Sequence, residues 1–271
     1  MTNSLAPAAV RALADQVQRR DGAPPLSDQA LSRIGASGVR EFVRYDGNDL
    51  IAYAQLDGDS LELAAPAELV GEMLAEAEAV SPSLEVWSHG RRSAVAEVAR
   101  GRGYTEWKRL LQMRRPDAPV PPFELPGGIR LRPFAPGHDE QNWLELNAAA
   151  FAGWGEQADI GLSDLLAREL EPWFDPAGFL LAVPTSGEQT LLGFHWTKVH
   201  PDGFGEVYVL AVAPATQGTG LGRSLLLAGL EHLAGRAVKL YVDDANVKAK
   251  RLYEAFGFVE HDVDIQLRSP A

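Results

Sequence analysis

Residues 84–114, LEVWSHGRRSAVAEVARGRGYTEWKRLLQMR, and residues 238–268, VKLYVDDANVKAKRLYEAFGFVEHDVDIQLR, read as two copies of one pattern. Gly103 meets Gly257, Gln112 meets Gln266 and Arg114 meets Arg268, at a constant offset of 154. Each copy runs strand, polar loop, amphipathic helix, a Gly-Tyr or Gly-Phe stop, then a final strand. Upstream, DLIAYAQLDG matches TLLGFHWTKV, and LELAAP (61–66) matches VLAVAP (209–214) at an offset of 148. Three blocks matched in the same order predict a duplicated α/β domain.

The seam is legible. RRPDAPVPPFELPGG (114–128) holds five prolines and two glycines, which neither a long helix nor a central strand tolerates. The expected organisation is a domain over 1–115, a Pro-rich linker over 116–126 and a second domain over 127–271. A hydrophobic content of 46% with 23% charged residues is that of a soluble globular protein. The net charge of -12 argues against nucleic acid and anionic membrane as partners. With no cysteine, the chain has no disulfide, zinc–thiolate site or thiol nucleophile. The first residues lack an apolar core of signal-peptide length, so a cytoplasmic location is expected.

In the second half, IRLRPF (129–134) alternates as a strand, and GHDEQNWLELNAAAFAG places Trp143, Leu146 and Ala150 at helical spacing. LSDLLARELEPW reads as a helix capped by Ser163. FLLAVP, QTLLGFHWTKV and GEVYVLAVAP read as consecutive strands, and GRSLLLAGLEHLAG as a helix. AVKLYVD reads as a further strand, and NVKAKRLYEAF as a helix stopped by Gly257. The order β-α-α-β-β-β-α-β-α-β predicts a mixed sheet in an α/β (α+β) fold.

Between GEVYVLAVAP and the next helix lies QGTGLG (217–222). A strand that feeds a glycine turn and a helix N-terminus gathers unpaired N–H groups and the positive end of the helix dipole at one point. Such a nest binds phosphate whatever the net charge. It is not a Walker loop, since Leu-Gly-Arg-Ser stands where Gly-Lys-Ser/Thr is needed. Nor is it a dinucleotide fingerprint, because its glycines fall at 218, 220 and 222.

VAPATQGTGLGRSLL resembles the pyrophosphate motif of the GCN5-related N-acetyltransferases, Gln/Arg-x-x-Gly-x-Gly/Ala after a strand. NVKAKRLYEAFGF resembles that family's Asn…Tyr-x-x-x-Gly-Phe hallmark. The likeness covers 127–271 and, in degraded form, most of the first half, which implies two tandem domains of this fold with acetyl-CoA as cosubstrate. DGAPPLSDQ, NAAAFAGWGEQ, HWTKVHPDGFGEVYVLAV and LYVDDANVKAKRLYEAFGF are similar to stretches of the mycothiol synthase family. Its members acetylate the cysteinyl amine of cysteinyl-glucosaminyl-inositol.

The resemblance implies a site residue by residue. Coenzyme contacts fall on Leu210, Ala211 and Val212, on Gln217, Gly218, Thr219, Gly220, Leu221, Gly222 and Arg223, and on Asn246, Val247, Lys248, Ala249, Lys250 and Arg251. Thr219 stands where the family often has Arg or Lys. Glu206 becomes the candidate base, acting through a water, and Tyr253 the acid that protonates the coenzyme sulfur. Without the family, Glu206 reads equally as a solvated strand-end carboxylate and Tyr253 as a packing aromatic. Asp28, Glu156, Lys198, Glu206 and Tyr241 are implied for the acceptor, with Asp28 where the family usually has Glu.

In the first copy the offset changes from 148 to 154 after Pro66, so six residues are missing where the glycine loop would lie. Tyr253 aligns there with Ala99, Asn246 with Arg92 and Glu206 with Gly58. That domain is expected to be non-catalytic, a poor coenzyme binder, and one wall of the acceptor cleft. No metal site is expected, since HDVD (261–264) sends His261 and Asp262 to opposite strand faces. His195 and Trp196 likewise oppose each other, as core or pocket wall. The chain is expected to be a monomer acting on a small molecule. Acetylation of another amine, such as an aminoglycoside or a peptide N-terminus, and a non-catalytic acetyl-CoA sensor are the alternatives.

Overall fold

The computed structural model describes residues 6–153, 157–186 and 190–270. These form two units, one of Met1–Gln112, Val242–Val247 and His261–Ala271, the other of Met113–Tyr241 and Lys248–Glu260.

The first unit opens with α1 (Pro7–Asp21), where Pro7 takes the first helical turn and Gly22, at φ 86°, ends it through a bond from its N–H to the Gln18 carbonyl. Val10, Leu13, Ala14 and Val17 recur at helical spacing and are buried. α2 (Asp28–Ser32) is capped by Ser27, whose Oγ accepts from the Ala30 N–H at 3.1 Å. A cap of this kind contributes about 1 kcal/mol. β1 (Val39–Asp46), β2 (Asp49–Asp57) and β3 (Ser60–Ala64) follow as an antiparallel meander. α3 (Ala67–Glu78) starts after Ala65 and Pro66 alone. β4 (Glu85–Ser88), α4 (Val95–Gly101) and β5 (Thr105–Arg115) complete the first copy.

The last strand of the chain belongs to this unit. In β11 (Val259–Arg268), Ile265 to Arg268 pair antiparallel with Ser88 to Glu85. The sequence division at 115 and 127 gave this segment to the second domain; main-chain pairing and burial of Leu267 on Leu61, Met73 and Val86 group it with the first.

β3 and β4 are parallel and registered only at Ser60↔Glu85 and Leu61↔Val86. Just beyond, His89 lies between two carboxylates, with Nε2 3.2 Å from Glu62 and Nδ1 3.1 Å from Asp264. Glu62 also accepts from the Ser27 N–H and Oγ, and Asp264 from the Gly90 N–H. Burial works against charge on the imidazole, but the two carboxylates outweigh it and lift the pKa to about 10.

The second unit comprises β6 (Ile129–Pro133), α5 (Glu140–Ala150), α6 (Leu162–Glu169), β7 (Phe179–Pro184), β8 (Gly193–Val199), β9 (Gly205–Val212), α7 (Leu221–His232), β10 (Val238–Asp243, to Tyr241) and α8 (Val247–Ala255, from Lys248). Its sheet runs β10-β9-β8-β7-β6, antiparallel except for the parallel β9–β10 pair. On one face Phe134, Phe179 and Trp196 stack at centroid distances of 4.4 and 4.3 Å, with Trp143 edge-on to Phe179 and Trp196. On the other, α7 buries Leu221 and Leu225 against Ala182. Alternation along β8 therefore puts both His195 and Trp196 in core, on opposite faces. His195 Nδ1 donates to the Leu225 carbonyl at 2.7 Å, and burial drives its pKa down to about 4.

Two element ends differ from the sequence reading. α6 is capped at Gly161 rather than Ser163, because the Asp164 carboxylate reaches back to the Gly161 N–H at 3.0 Å. β8 begins at Gly193, several residues after the start of QTLLGFHWTKV. Among the described residues no helix is long and apolar enough to cross a membrane.

Candidate active site

The site is built where β9 and β10 part. Their registered pairs are Val238↔Gly205, Lys239↔Glu206 and Leu240↔Val207, whereas β9 runs on to Val212. On its other edge β9 stays paired with β8, except that Thr197↔Val207 is followed by Trp196↔Val209. Tyr208 is thus an extra residue, a bulge that bends β9 at the point of parting. Leu210, Ala211 and Val212 are partly exposed beyond it. Their backbone has no β10 partner in the register, which leaves a strand edge that an extended amide-bearing ligand can pair with.

At the end of that edge stands the glycine loop. Gly218 and Gly220 hold φ 79° and 91°, values that an L side chain rarely adopts. The Thr216 Oγ1 donates to the Leu192 carbonyl at 2.9 Å, and Thr219 Oγ1 donates to the Thr216 carbonyl at 2.7 Å, so the turn is tied down. Thr219 spends its hydroxyl within the loop. Gly220 caps α7, and the N–H groups of Leu221, Gly222 and Arg223 open the helix without intrahelical acceptors. The Arg223 guanidinium lies 5.3 Å from the centre of the Phe256 ring.

The face of the sheet opposite α7 carries the charged residues. Glu206 is 6% exposed, and the register sets Lys198 of β8 and Lys239 of β10 beside it. Lys198 is 4% exposed, with Nζ 4.6 Å from the Trp173 ring centre and 5.3 Å from that of Tyr208. Tyr208 is held in turn by Arg168, whose Nε donates to its hydroxyl at 3.0 Å. Tyr241, two residues after Lys239, returns to the same face by strand alternation. A buried carboxylate beside an aromatic wall and a lysine is equipped to accept a proton and to hold a polyhydroxylated ligand.

Tyr253 is the buried residue of α8 and packs edge-on against Phe258 at 5.8 Å. Burial pushes its phenol up to about 12, so it stays protonated across any physiological pH.

Comparison with known proteins supplies the family. Residues 141–258 match the profile of the Acetyltransferase (GNAT) family. A protein of Thermobispora bispora named mycothiol acetyltransferase is 47% identical, over 96% of this chain and 95% of its own. One of the same name from Thermomonospora curvata is 45% identical, over 96% and 93%. The chain belongs to the mycothiol acetyltransferase family. Among solved structures, a tandem GNAT protein from the clavulanic acid biosynthesis pathway superposes with a TM-score of 0.73 at 16% identity, covering 100% of this chain and 97% of that one. A GCN5-related N-acetyltransferase from Sphaerobacter thermophilus gives 0.69 at 24%, over 98% and 93%. The fold is thus that of a tandem GNAT protein.

For this member of the mycothiol acetyltransferase family, Lys198, Glu206 and Tyr241 come together on one sheet face, and Leu210–Val212 with Gln217–Arg223 along one strand edge and turn. Lys248, Ala249, Lys250 and Arg251 lie in the first turns of α8. Asn246 and Val247 group with the first unit, as does Asp28, which is exposed at the start of α2. Glu156 lies outside the described residues. Among the described residues no group of three or more His, Cys, Asp or Glu side chains is placed to hold a metal ion.

One residue of this face escaped the sequence reading. His200 follows β8, and its Nε2 hydrogen-bonds the Glu206 Oε2. The turn fixes the His200 main chain, for the His200 N–H donates to the Phe204 carbonyl at 2.8 Å and the Gly203 N–H to the His200 carbonyl at 2.9 Å. A His-Pro pair in a polar stretch signals only a turn; the contact exists because the hairpin brings residue 200 back over residue 206.

Proposed function

We propose that the protein transfers the acetyl group of acetyl-CoA to the cysteinyl amine of cysteinyl-glucosaminyl-inositol, the last step of mycothiol biosynthesis. One observation carries this reading: the open strand edge of β9 runs from the buried carboxylate of Glu206 to the N–H groups of the glycine loop. The loop and α7 N-terminus hold the pyrophosphate, and Leu210, Ala211 and Val212 pair with the amides of the pantetheine arm. Bound acetyl-CoA supplies an activated thioester; the remaining work falls to the chain. Glu206 takes a proton from the acceptor ammonium through a water, which frees the lone pair for attack. Tyr253, neutral because buried, donates its proton to the departing sulfur.

Lys198, Tyr241 and Glu156 bind the acceptor's hydroxyls and amine. Lys198 works against a strongly cationic aminoglycoside, and the presence of both Glu206 and Tyr253 favours an enzyme over a coenzyme sensor. The first unit, in which α3 follows β3 without a glycine loop, serves a structural role. The protein is a monomer of the cytoplasm, where acetyl-CoA is at hand.

The test is incubation with acetyl-CoA and purified cysteinyl-glucosaminyl-inositol, following thiol release and the mass of the product. A gain of one acetyl group on the cysteinyl nitrogen supports the reading. Turnover of aminoglycosides or peptides alone, or none at all, refutes it.

A further inference from the structure

Glu206 does not stand alone: His200 hydrogen-bonds its carboxylate through Nε2. The His200 side chain is 17% exposed and that of Glu206 9%, so the imidazole is the more exposed of the pair. The hairpin that holds it is short and pinned, with Gly203 at φ 88° and the Asp202 carboxylate accepting from the Phe204 N–H at 3.1 Å. Such a turn holds the backbone from which the ring projects.

We infer that His200 receives the proton that Glu206 removes from the acceptor and passes it to solvent, so that carboxylate and imidazole act as one base. This rests on Glu206 being the base. The proton account closes without a further reactant. The acceptor ammonium loses one proton, by way of a water, to the Glu206 carboxylate. In the resting pair Nε2–H donates to the Glu206 carboxylate. Once Glu206 holds the substrate proton, the ring exchanges through solvent to its Nδ1–H tautomer and accepts the proton at Nε2. The imidazolium so formed releases its Nδ1 proton to solvent. Glu206 is then ready for the second proton, shed as the amide forms. A buried carboxylate with no such outlet must hand each proton back through the substrate cleft.

The arrangement also sets which groups shape the pH response. Facing the pair are Lys198 from β8 and Lys239 from β10, both in register with Glu206. Asp202 lies in the turn itself, and Arg114 sits 5.1 Å from the ring centre of Phe204 at the turn's end. These remain unchanged in a His200 variant. His200 acts through Glu206 and is in that sense a positioning residue.

The experiment compares His200→Gln, Glu206→Gln and the double variant in the full-length protein, reading kcat/KM against pH together with acetyl-CoA affinity. His200→Gln keeps a hydrogen-bond donor near Nε2 but carries no proton. The expected result is a loss of about tenfold or more in kcat/KM at neutral pH, with acetyl-CoA affinity unchanged. The acidic limb of the kcat/KM profile should shift, because the imidazole no longer takes part in carrying the proton. In the double variant the loss should not exceed that of Glu206→Gln by more than about twofold, since removal of the carboxylate leaves the imidazole nothing to relay. Should His200→Gln fail to fold, His200→Asn carries the same readouts. A His200 variant with wild-type kcat/KM and an unmoved acidic limb, beside a crippled Glu206→Gln, overturns the inference and leaves Glu206 as base. Additive losses in the double variant overturn it also. An active Glu206→Gln refutes the base assignment itself.

Discussion

His89 is bonded through Nδ1 to Asp264 at 3.1 Å, which ties the end of β4 to the last strand of the chain. With Glu62 on its other nitrogen, the imidazolium is held to about pH 10. A folded pKa above the unfolded value of about 6.5 means stabilisation that is whole below 6.5 and lost as pH rises to 10. Thermal melts between pH 6 and 10 should show this decline. His89→Gln should cost about 3–5 kcal/mol at pH 6, from stranding buried charges, and flatten the slope.

His195 has the opposite sign. Its pKa, driven to about 4, lies below the unfolded value, so its contribution is present above pH 6.5 and lost on acidification toward 4. The ring fits only because residue 229 lacks a side chain: a Cβ on Gly229 would lie 2.0 Å from His195 Cε1 and Nδ1. Gly229→Ala should destabilise the second unit by about 1–3 kcal/mol in chemical denaturation, since the fully buried ring has nowhere to move.

Glu206→Gln should lower turnover by roughly 10²–10⁴-fold at neutral pH and leave acetyl-CoA affinity nearly unchanged. Raising the pH should partly rescue it, by supplying amine already deprotonated. Tyr253→Phe removes an acid instead, and its deficit should persist at every pH. Because the phenol ionises only near 12, any alkaline limb of the wild-type profile below pH 10 should survive in Tyr253→Phe. Initial rates from pH 6 to 10 check both.

Gly220→Val should weaken acetyl-CoA binding by at least about tenfold in calorimetry. Nothing lies within 4 Å of a Cβ built on Gly220, so the effect comes from φ 91°, which a β-branched residue abandons. Gly222→Ala makes the contrast. Its Cβ would meet Val212 Cγ1 at an ordinary 3.8 Å, so the loop keeps its shape, and any lost affinity reports a blocked approach to the backbone.

What the sequence disclosed follows from how local each signal is. Gly103 and Gly257 announce helix ends because a left-handed residue there needs no distant partner, and both adopt φ above 80°. The glycine loop is equally local, as is the six-residue difference between residues 65–66 and 213–220 as strand-to-helix connections. The cap of α6 went astray because Ser163 and Gly161 compete, and the Asp164 side chain decides between them. The parting of β9 from β10, the bulge at Tyr208 and the His200 contact all depend on strand register, which no run of residues spells out.

Because β11 pairs with β4 and supplies Asp264 to His89, the first unit is completed by residues that follow the second in the sequence. A nascent chain emerging from the ribosome can finish its second unit's sheet as soon as β10 is out, but the first unit's sheet must wait until Arg268 is out. The usual vectorial order, amino-terminal domain first, is thereby reversed. A stop codon or proteolytic nick just before His261 would leave β4 with an unpaired edge and a buried imidazole short of one counter-ion, a lesion more than 170 residues away along the polypeptide from the strand it exposes.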